Sequence, residues 1–384
     1  MRDDPPARAG PAGLYVHFPF CAVRCTYCDF PTVAGRDSEI EIYLDALEME
    51  IERGQPDLPS AVDTVYLGGG TPSRMSADQV HRVLGALGRR FDLLEGAEVT
   101  LEGNPESLTL ERLSAYRAAG ITRVSVGIQS LDARVLQDSH RAHDGAEGLA
   151  AVARAHESGL SEINVDLIAG LPGEALEVWD ETVFRVVGSE PSHVSVYLLE
   201  TDKDTPLSRA VRSGRVRPAR EEGLAEAYRR SGEVLADHGY EQYEISNFAR
   251  PGSRSRHNLK YWSDEPYGGF GLGAHAYLGG RRRSNRRELD DYLREVEAGE
   301  DPLEWEDPWD PRRRLAEALI LGLRLVEGVD LDSLGERYGT NVVALFEPAW
   351  DRAWAAGMIE WHGSRVALTP SGRLCSNELF AELI

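Results

Sequence analysis

Three cysteines stand within eight residues, Cys21, Cys25 and Cys28 of CAVRCTYC, while the fourth and last, Cys375, lies near the other end of the chain. Thiolates at such short spacings wrap a compact metal site. Structural zinc wants a fourth Cys or His close by. His17 sits too near the preceding strand to be an obvious one, and Cys375 falls in a different part of the chain. An iron–sulfur cube usually takes four thiolates; with three, one iron is left open to bind a substrate or cofactor. The residues alone favour an open cluster over zinc, and zinc over incidental thiols. Clustering of this kind is no disulfide framework.

Four further loops carry residues suited to chemistry: GGGTP at 68–72, EGNPE at 102–106, GIQS at 127–130 and DLIAGLPGE at 166–174. Each lies at the end of a short apolar run of β type. LYVHF (14–18), TVYLG (64–68), EVTLEG (98–103), RVSVGIQS (123–130), EINVDLIAG (162–170) and HVSVYLLE (193–200) alternate with amphipathic helical stretches. Strands apolar along most of their length read as parallel strands covered on both faces. Ser76 is a candidate N-cap and Gly120 a candidate helix stop. The expected fold is therefore α/β, a partial (β/α)6 barrel, with no clear seventh or eighth unit. Its loops would gather on one face with the cysteines. Glu102, Gln129, Arg141 and Asp166 are the polar residues best placed there, a surface or capping role being the alternative for each. Glycines at 69 and 70 would allow a ligand close to the backbone.

Beyond 200 the pattern changes. Four segments are expected: a flexible N-terminus (1–13), the barrel core (14–200), an extension (201–298) and a C-terminal helical domain (299–384). The last begins at an acidic, proline-broken linker and adds a hairpin, so a small winged-helix-like module is expected. Thr369 and Pro370 read as N-cap and first residue of a final helix. The chain has 384 residues, 42% hydrophobic, with a net charge of −22, a field that repels nucleic acid and anionic membranes. The basic run RRRSNRR (281–287) is expected as a solvated loop rather than an anion site. Neither a signal peptide nor a membrane-spanning run is visible, which predicts a soluble, cytoplasmic protein.

Cys-x-x-x-Cys-x-x-Cys directly after a first barrel strand, with aromatic Tyr27 before the last cysteine, resembles the radical S-adenosylmethionine (SAM) superfamily. The resemblance implies a 4Fe-4S cluster on Cys21, Cys25 and Cys28. Its open iron would chelate S-adenosyl-L-methionine, and electron transfer would cleave the sulfonium to a 5′-deoxyadenosyl radical. YVHFPFC, CDF, LGGGTP, EGNPE, VSVGIQS, DLIAGLPG, GYEQYEISNFARPG, HNLKYW and GLGAHA together resemble the heme chaperone (HemW) group, from about residue 14 to the C-terminus. That group is similar to the oxygen-independent coproporphyrinogen III dehydrogenases. By position, Tyr15, Gly69, Gly70, Thr71, Glu102, Gln129, Arg141 and Asp166 match the residues that hold S-adenosylmethionine in the dehydrogenases.

Two features separate these cousins. The dehydrogenases typically carry a further cysteine after the triplet, where this chain has Asp29 and Phe30. The chaperone group carries His-Asn-x-x-Tyr-Trp, tied to heme binding, which stands here as His257, Asn258, Tyr261 and Trp262. An imidazole is a good axial ligand to heme iron and an aromatic pair can lie against a porphyrin; alone, the four would read as a loop histidine with core anchors. The resemblance implies a heme carrier with a heme-acceptor protein as partner, an electron donor for its cluster, and no nucleic acid. A coproporphyrinogen III dehydrogenase is the alternative. A radical enzyme modifying RNA is disfavoured by the acidic surface.

Overall fold

The computed structural model describes residues 10–384. The expectation of a flexible N-terminus lies mostly outside the described residues, and the first strand, β1 (Ala12–Phe18), already starts ahead of position 14. A short β2 (Phe20–Cys21) pairs with β3 (Val33–Ala34) and frames the cysteine loop. Then follow α1 (Ile40–Arg53), β4 (Ala61–Gly69), α2 (Ala77–Arg90), β5 (Asp92–Gly103), α3 (Leu110–Ala119) and β6 (Arg123–Gln129). Next come α4 (Ala133–Asp138), α5 (Gly145–Glu157), β7 (Glu162–Ala169), α6 (Leu176–Gly188) and β8 (His193–Leu198). Strands β1, β4, β5, β6, β7 and β8 are parallel neighbours in that order. This is the expected partial barrel.

Local signals act as the sequence implies. Ser76 and Gln79 form a reciprocal capping box at the start of α2. Gly120 ends α3 at φ 112°, a left-handed conformation open to glycine. Helix α1 turns Tyr43, Leu44, Leu47 and Ile51 onto the sheet and leaves Glu41, Asp45 and Glu52 outside. Fully burying such apolar side chains is worth roughly 1.5–3 kcal/mol each.

The second half departs from expectation in three places. After α7 (Pro206–Arg212), α8 (Glu221–Asp237), β9 (Glu241–Gln242), β10 (Asn247–Ala249) and α9 (Arg256–Trp262), the glycine-rich stretch forms β11 (Tyr267–Phe270). It adds a seventh parallel strand, on the free edge of β1. Next, β12 (His275–Leu278) pairs antiparallel with β13 (Arg281–Asn285), so the basic run is sheet rather than a solvated loop. After α10 (Leu289–Glu297), the acidic linker supplies β14 (Leu303–Glu306), antiparallel to β13. The two segments neutralise each other: Arg281 pairs with Glu306 at 3.3 Å, Arg283 with Asp301 at 2.6 Å, and Arg286 with Glu304 at 3.1 Å.

The C-terminal part packs α11 (Pro311–Leu323), β15 (Val329–Asp330), α12 (Leu331–Tyr338), α13 (Val342–Leu345) and α14 (Glu347–Ala355) with β16 (Ile359–His362) and β17 (Arg365–Leu368). Helices α15 (Pro370–Leu374) and α16 (Ser376–Leu383) finish the chain, α15 capped by Thr369. The three strands form their own small sheet, and Leu315, Leu319, Trp350, Val366 and Leu383 centre a separate core. Two contacts tie this part to α9 and its C-terminal end: the Arg324 guanidinium lies 4.4 Å from the Trp262 ring centre, and Arg337 meets Asp264 at 2.6 Å. Among the described residues no helix is long and apolar enough to cross a membrane.

Candidate functional site

Two cavities share a wall at the carboxyl ends of the parallel strands. The first, of about 350 Å³, is lined by all three clustered cysteines and by Tyr27, Gly69, Gly70, Thr71, Glu102, Gln129, Arg141 and Asp166. Residues from five separate strand-end loops thus converge, the arrangement expected of a barrel's catalytic face. Cys375 is exposed on the C-terminal part and lines neither cavity.

Cys21 is buried, and Cys25 and Cys28 are half-buried. Burial pushes the Cys21 thiol upward and the Cys28 thiol to about 11, a cost that bonding to iron removes by fixing the thiolate form. Thr71 Oγ1 lies 3.5 Å from Cys21 Sγ, and Arg141 Nη1 lies 3.5 Å from Cys25 Sγ. Among the described residues no three Cys, His, Asp or Glu side chains converge closely enough for a single metal ion. An iron–sulfur cube places each thiolate on its own iron. Around the thiols, Tyr27 Oη, Thr32 Oγ1, Gln129 Oε1 and Arg141 Nε are buried without a partner. Such orphans at one cavity are what a polar ligand satisfies.

The supports are explicit. Glu102 accepts from Tyr66 Oη at 2.7 Å and from the Gly69 amide at 3.0 Å, and burial raises its carboxyl to about 7. Asp166 accepts from Ser125 Oγ at 2.6 Å and Asn164 Nδ2 at 2.8 Å, and burial raises it too. Arg141 donates to Asn104 Oδ1 at 2.9 Å and the Gly127 carbonyl at 2.5 Å. Gln129 sits at φ 70°, a strained position for a residue with a side chain.

The glycines need another account than ligand approach alone. A Cβ on Gly70 would stand 2.5 Å from the Pro19 carbonyl oxygen, and one on Gly69 would run into the His17 ring. The Gly70 amide donates to the Phe18 carbonyl at 2.8 Å and Thr71 to that of Phe20 at 3.1 Å. This loop is therefore laced to the chain leading into Cys21.

The second cavity, about 550 Å³, lies within the range of roughly 300–1,000 Å³ usual for small-molecule sites. Asn258, Tyr261 and Trp262 line it with Tyr15, His257 and Leu321, the last from α11. Asp29, Phe30, Tyr66, Gly69 and Glu102 border both cavities. Tyr15, grouped by sequence with the first site, instead faces the second, stacked on Tyr66 with ring centres 6.1 Å apart. His257 is fully buried. Its Nδ1 lies 2.9 Å from Thr64 Oγ1 and its Nε2 2.8 Å from Tyr261 Oη, so neither nitrogen is free to face a metal. Burial, reinforced by Lys260, lowers its pKa to about 3.

Tyr66, Asn104, Ser125 and Tyr197 also line the first cavity and were not among the expected residues. Alternation along a strand is the signal for Tyr66, Ser125 and Tyr197, whereas Asn104 lies just past the end of β5 in the EGNPE loop. Tyr66 shares a face with Thr64, Ser125 with Gly127, and Tyr197 with Ser195.

A parallel barrel with three thiols and a polar ligand cavity at its strand ends defines the radical SAM class, and residues 15–186 match the radical SAM superfamily. Residues 309–375 match the HemN C-terminal domain. The chain is 34% identical to heme chaperone HemW of Bacillus subtilis, covering 96% of this chain and 98% of that protein. It is 31% identical to heme chaperone HemW of Lactococcus lactis, covering 97% of each. The chain belongs to the HemW family. Its fold is similar to that of coproporphyrinogen III oxidase (HemN) from Escherichia coli, with a TM-score of 0.85 at 24% identity over 97% of this chain and 90% of that one.

Proposed function

We propose that the protein carries heme in the second cavity and holds a 4Fe-4S cluster with S-adenosylmethionine in the first, delivering its heme to an acceptor protein. The observation that carries this reading is the second cavity itself. It is a site of cofactor size, walled by Asn258, Tyr261 and Trp262 and adjoining the cysteine loop. Relatives matching it over nearly their whole length are heme chaperones.

In the first cavity Cys21, Cys25 and Cys28 are the ligands offered to the cluster. Arg141 and Thr71 stand by their sulfurs and can stabilise thiolate charge. Tyr27, Gln129 and Arg141 offer unpartnered polar atoms, and Glu102 and Asp166 offer carboxyls, to the ribose, amine and carboxylate of S-adenosylmethionine. When bound, the pair supplies one-electron cleavage of a sulfonium. In the second cavity aromatic faces, Tyr261 and Trp262 among them, suit a flat apolar macrocycle.

A coproporphyrinogen III dehydrogenase is the second reading, favoured by the similar fold of the Escherichia coli protein. Against it stands Phe30, 56% exposed and facing both cavities, where the dehydrogenases typically carry another thiol. Turnover decides between them. Cluster-loaded protein given coproporphyrinogen III, S-adenosylmethionine and reductant is expected to release no protoporphyrinogen. Robust formation would make it an enzyme rather than a carrier.

A further inference from the structure

Three imidazoles line the second cavity, and their hydrogen bonds set them apart. His17 has both nitrogens engaged, Nδ1 with Tyr15 Oη at 3.0 Å and Nε2 with the Pro31 carbonyl at 3.0 Å. His257 is likewise engaged at both nitrogens, with Thr64 and Tyr261. His275, the first residue of β12, is exposed to the cavity and has no hydrogen-bond partner on either ring nitrogen among the described residues. Strand register lines it up with Ser284 of β13 and Trp305 of β14, and the Trp305 ring meets it edge-on at 5.9 Å. That contact orients the imidazole while leaving its lone pair free.

The neighbouring charges are equally uneven. Within the basic run, Arg281, Arg282, Arg283 and Arg286 each meet a carboxylate, Arg282 through Glu317 at 2.9 Å. Arg287 has no carboxylate partner among the described residues; it lines the second cavity and donates one hydrogen bond, to the Asp29 carbonyl at 3.4 Å. An unpaired guanidinium beside a free imidazole, in a cavity with aromatic walls, matches a metalloporphyrin that bears carboxylates.

We propose that His275, not His257, ligates the iron of bound heme, and that Arg287 pairs with a porphyrin propionate. This rests on the heme-carrier reading. His257 is then a positioning residue that holds the Tyr261 phenol in the cavity wall. With neither ring nitrogen engaged, the His275 lone pair is available to a metal.

The test is a heme titration of the cluster-loaded full chain, followed by absorption, for the wild type, His275→Ala, His257→Ala and Arg287→Gln. His275→Ala should lose the axial-imidazole band and bind heme at least about ten-fold more weakly, and added imidazole should restore the band. His257→Ala should keep the band while melting earlier. Arg287→Gln should weaken binding of heme but not of heme dimethyl ester, which lacks the propionate charges. An unchanged band in His275→Ala, failure of imidazole to restore it, or loss of the band with imidazole rescue in His257→Ala would overturn the assignment of the ligand. Equal weakening of heme and its diester by Arg287→Gln, or none, would overturn the propionate contact. A wild type that binds no heme would instead remove the carrier reading, and this assignment with it.

Discussion

Tyr66 donates its phenol to Glu102 at 2.7 Å, and both side chains stand in the wall shared by the two cavities. Asp166 stands close enough to oppose the Glu102 charge, and burial holds the Glu102 carboxyl protonated up to about 7. The polar face of one cavity is thereby joined to the aromatic face of the other.

Glu102 makes stability depend on pH. Its folded value, about 7, exceeds the ordinary 4.5, so its contribution is complete below about 4.5 and lost as pH rises through about 7. The shift corresponds to something on the order of 3 kcal/mol. Glu102→Gln keeps an acceptor for Tyr66 without the charge. The melting temperature of the cluster-free variant, relative to wild type, should therefore rise across that window and level off above it. A constant difference between acid and neutral pH would show that Glu102 does not titrate in this way.

Cys21, Cys25 or Cys28 replaced by Ala should abolish bound iron and sulfide in anaerobic protein, because three thiolates leave no spare ligand. Cys375→Ala, on the exposed C-terminal part, should leave both at wild-type levels. Iron analysis beside the visible spectrum checks this, and stoichiometric zinc without iron would refute it.

Gly70→Val should disturb the cluster as well as the cofactor, since its Cβ meets the Pro19 carbonyl on the approach to Cys21. Asp166→Ala should keep the iron and weaken S-adenosylmethionine binding in calorimetry, by roughly ten-fold for a lost charged hydrogen bond. If Gly70→Val retains full iron and loses only the cofactor, the glycine serves ligand approach alone.

What the sequence revealed, and what it hid, follows from distance along the chain. CAVRCTYC and the strand-end loops were legible because each sits within a few residues of its own strand. Strand β11 was not, because Gly268 and Gly269 erase the apolar alternation that marks a strand. Their reason is tertiary: Cβ atoms there would collide with Leu58 and with the His275 backbone. The basic run read as solvated because its carboxylate partners, Asp301, Glu304, Glu306 and Glu317, come later in the chain. The hydrogen bonds of the histidine in His-Asn-x-x-Tyr-Trp were not legible, because Thr64, which engages Nδ1, lies far upstream.

His257→Ala should destabilise the fold by about 2–4 kcal/mol, through a cavity and two orphaned hydroxyls, Thr64 Oγ1 and Tyr261 Oη. Urea denaturation measures it. Wild-type stability in this variant would mean that the buried bridge contributes nothing.

Carriage of heme by the second cavity is tested most directly by titrating heme into cluster-loaded wild-type protein and following the Soret band. The account predicts a saturable transition at a single heme per chain, with the iron–sulfur absorption retained. A band that grows linearly with added heme, without saturation, would contradict it.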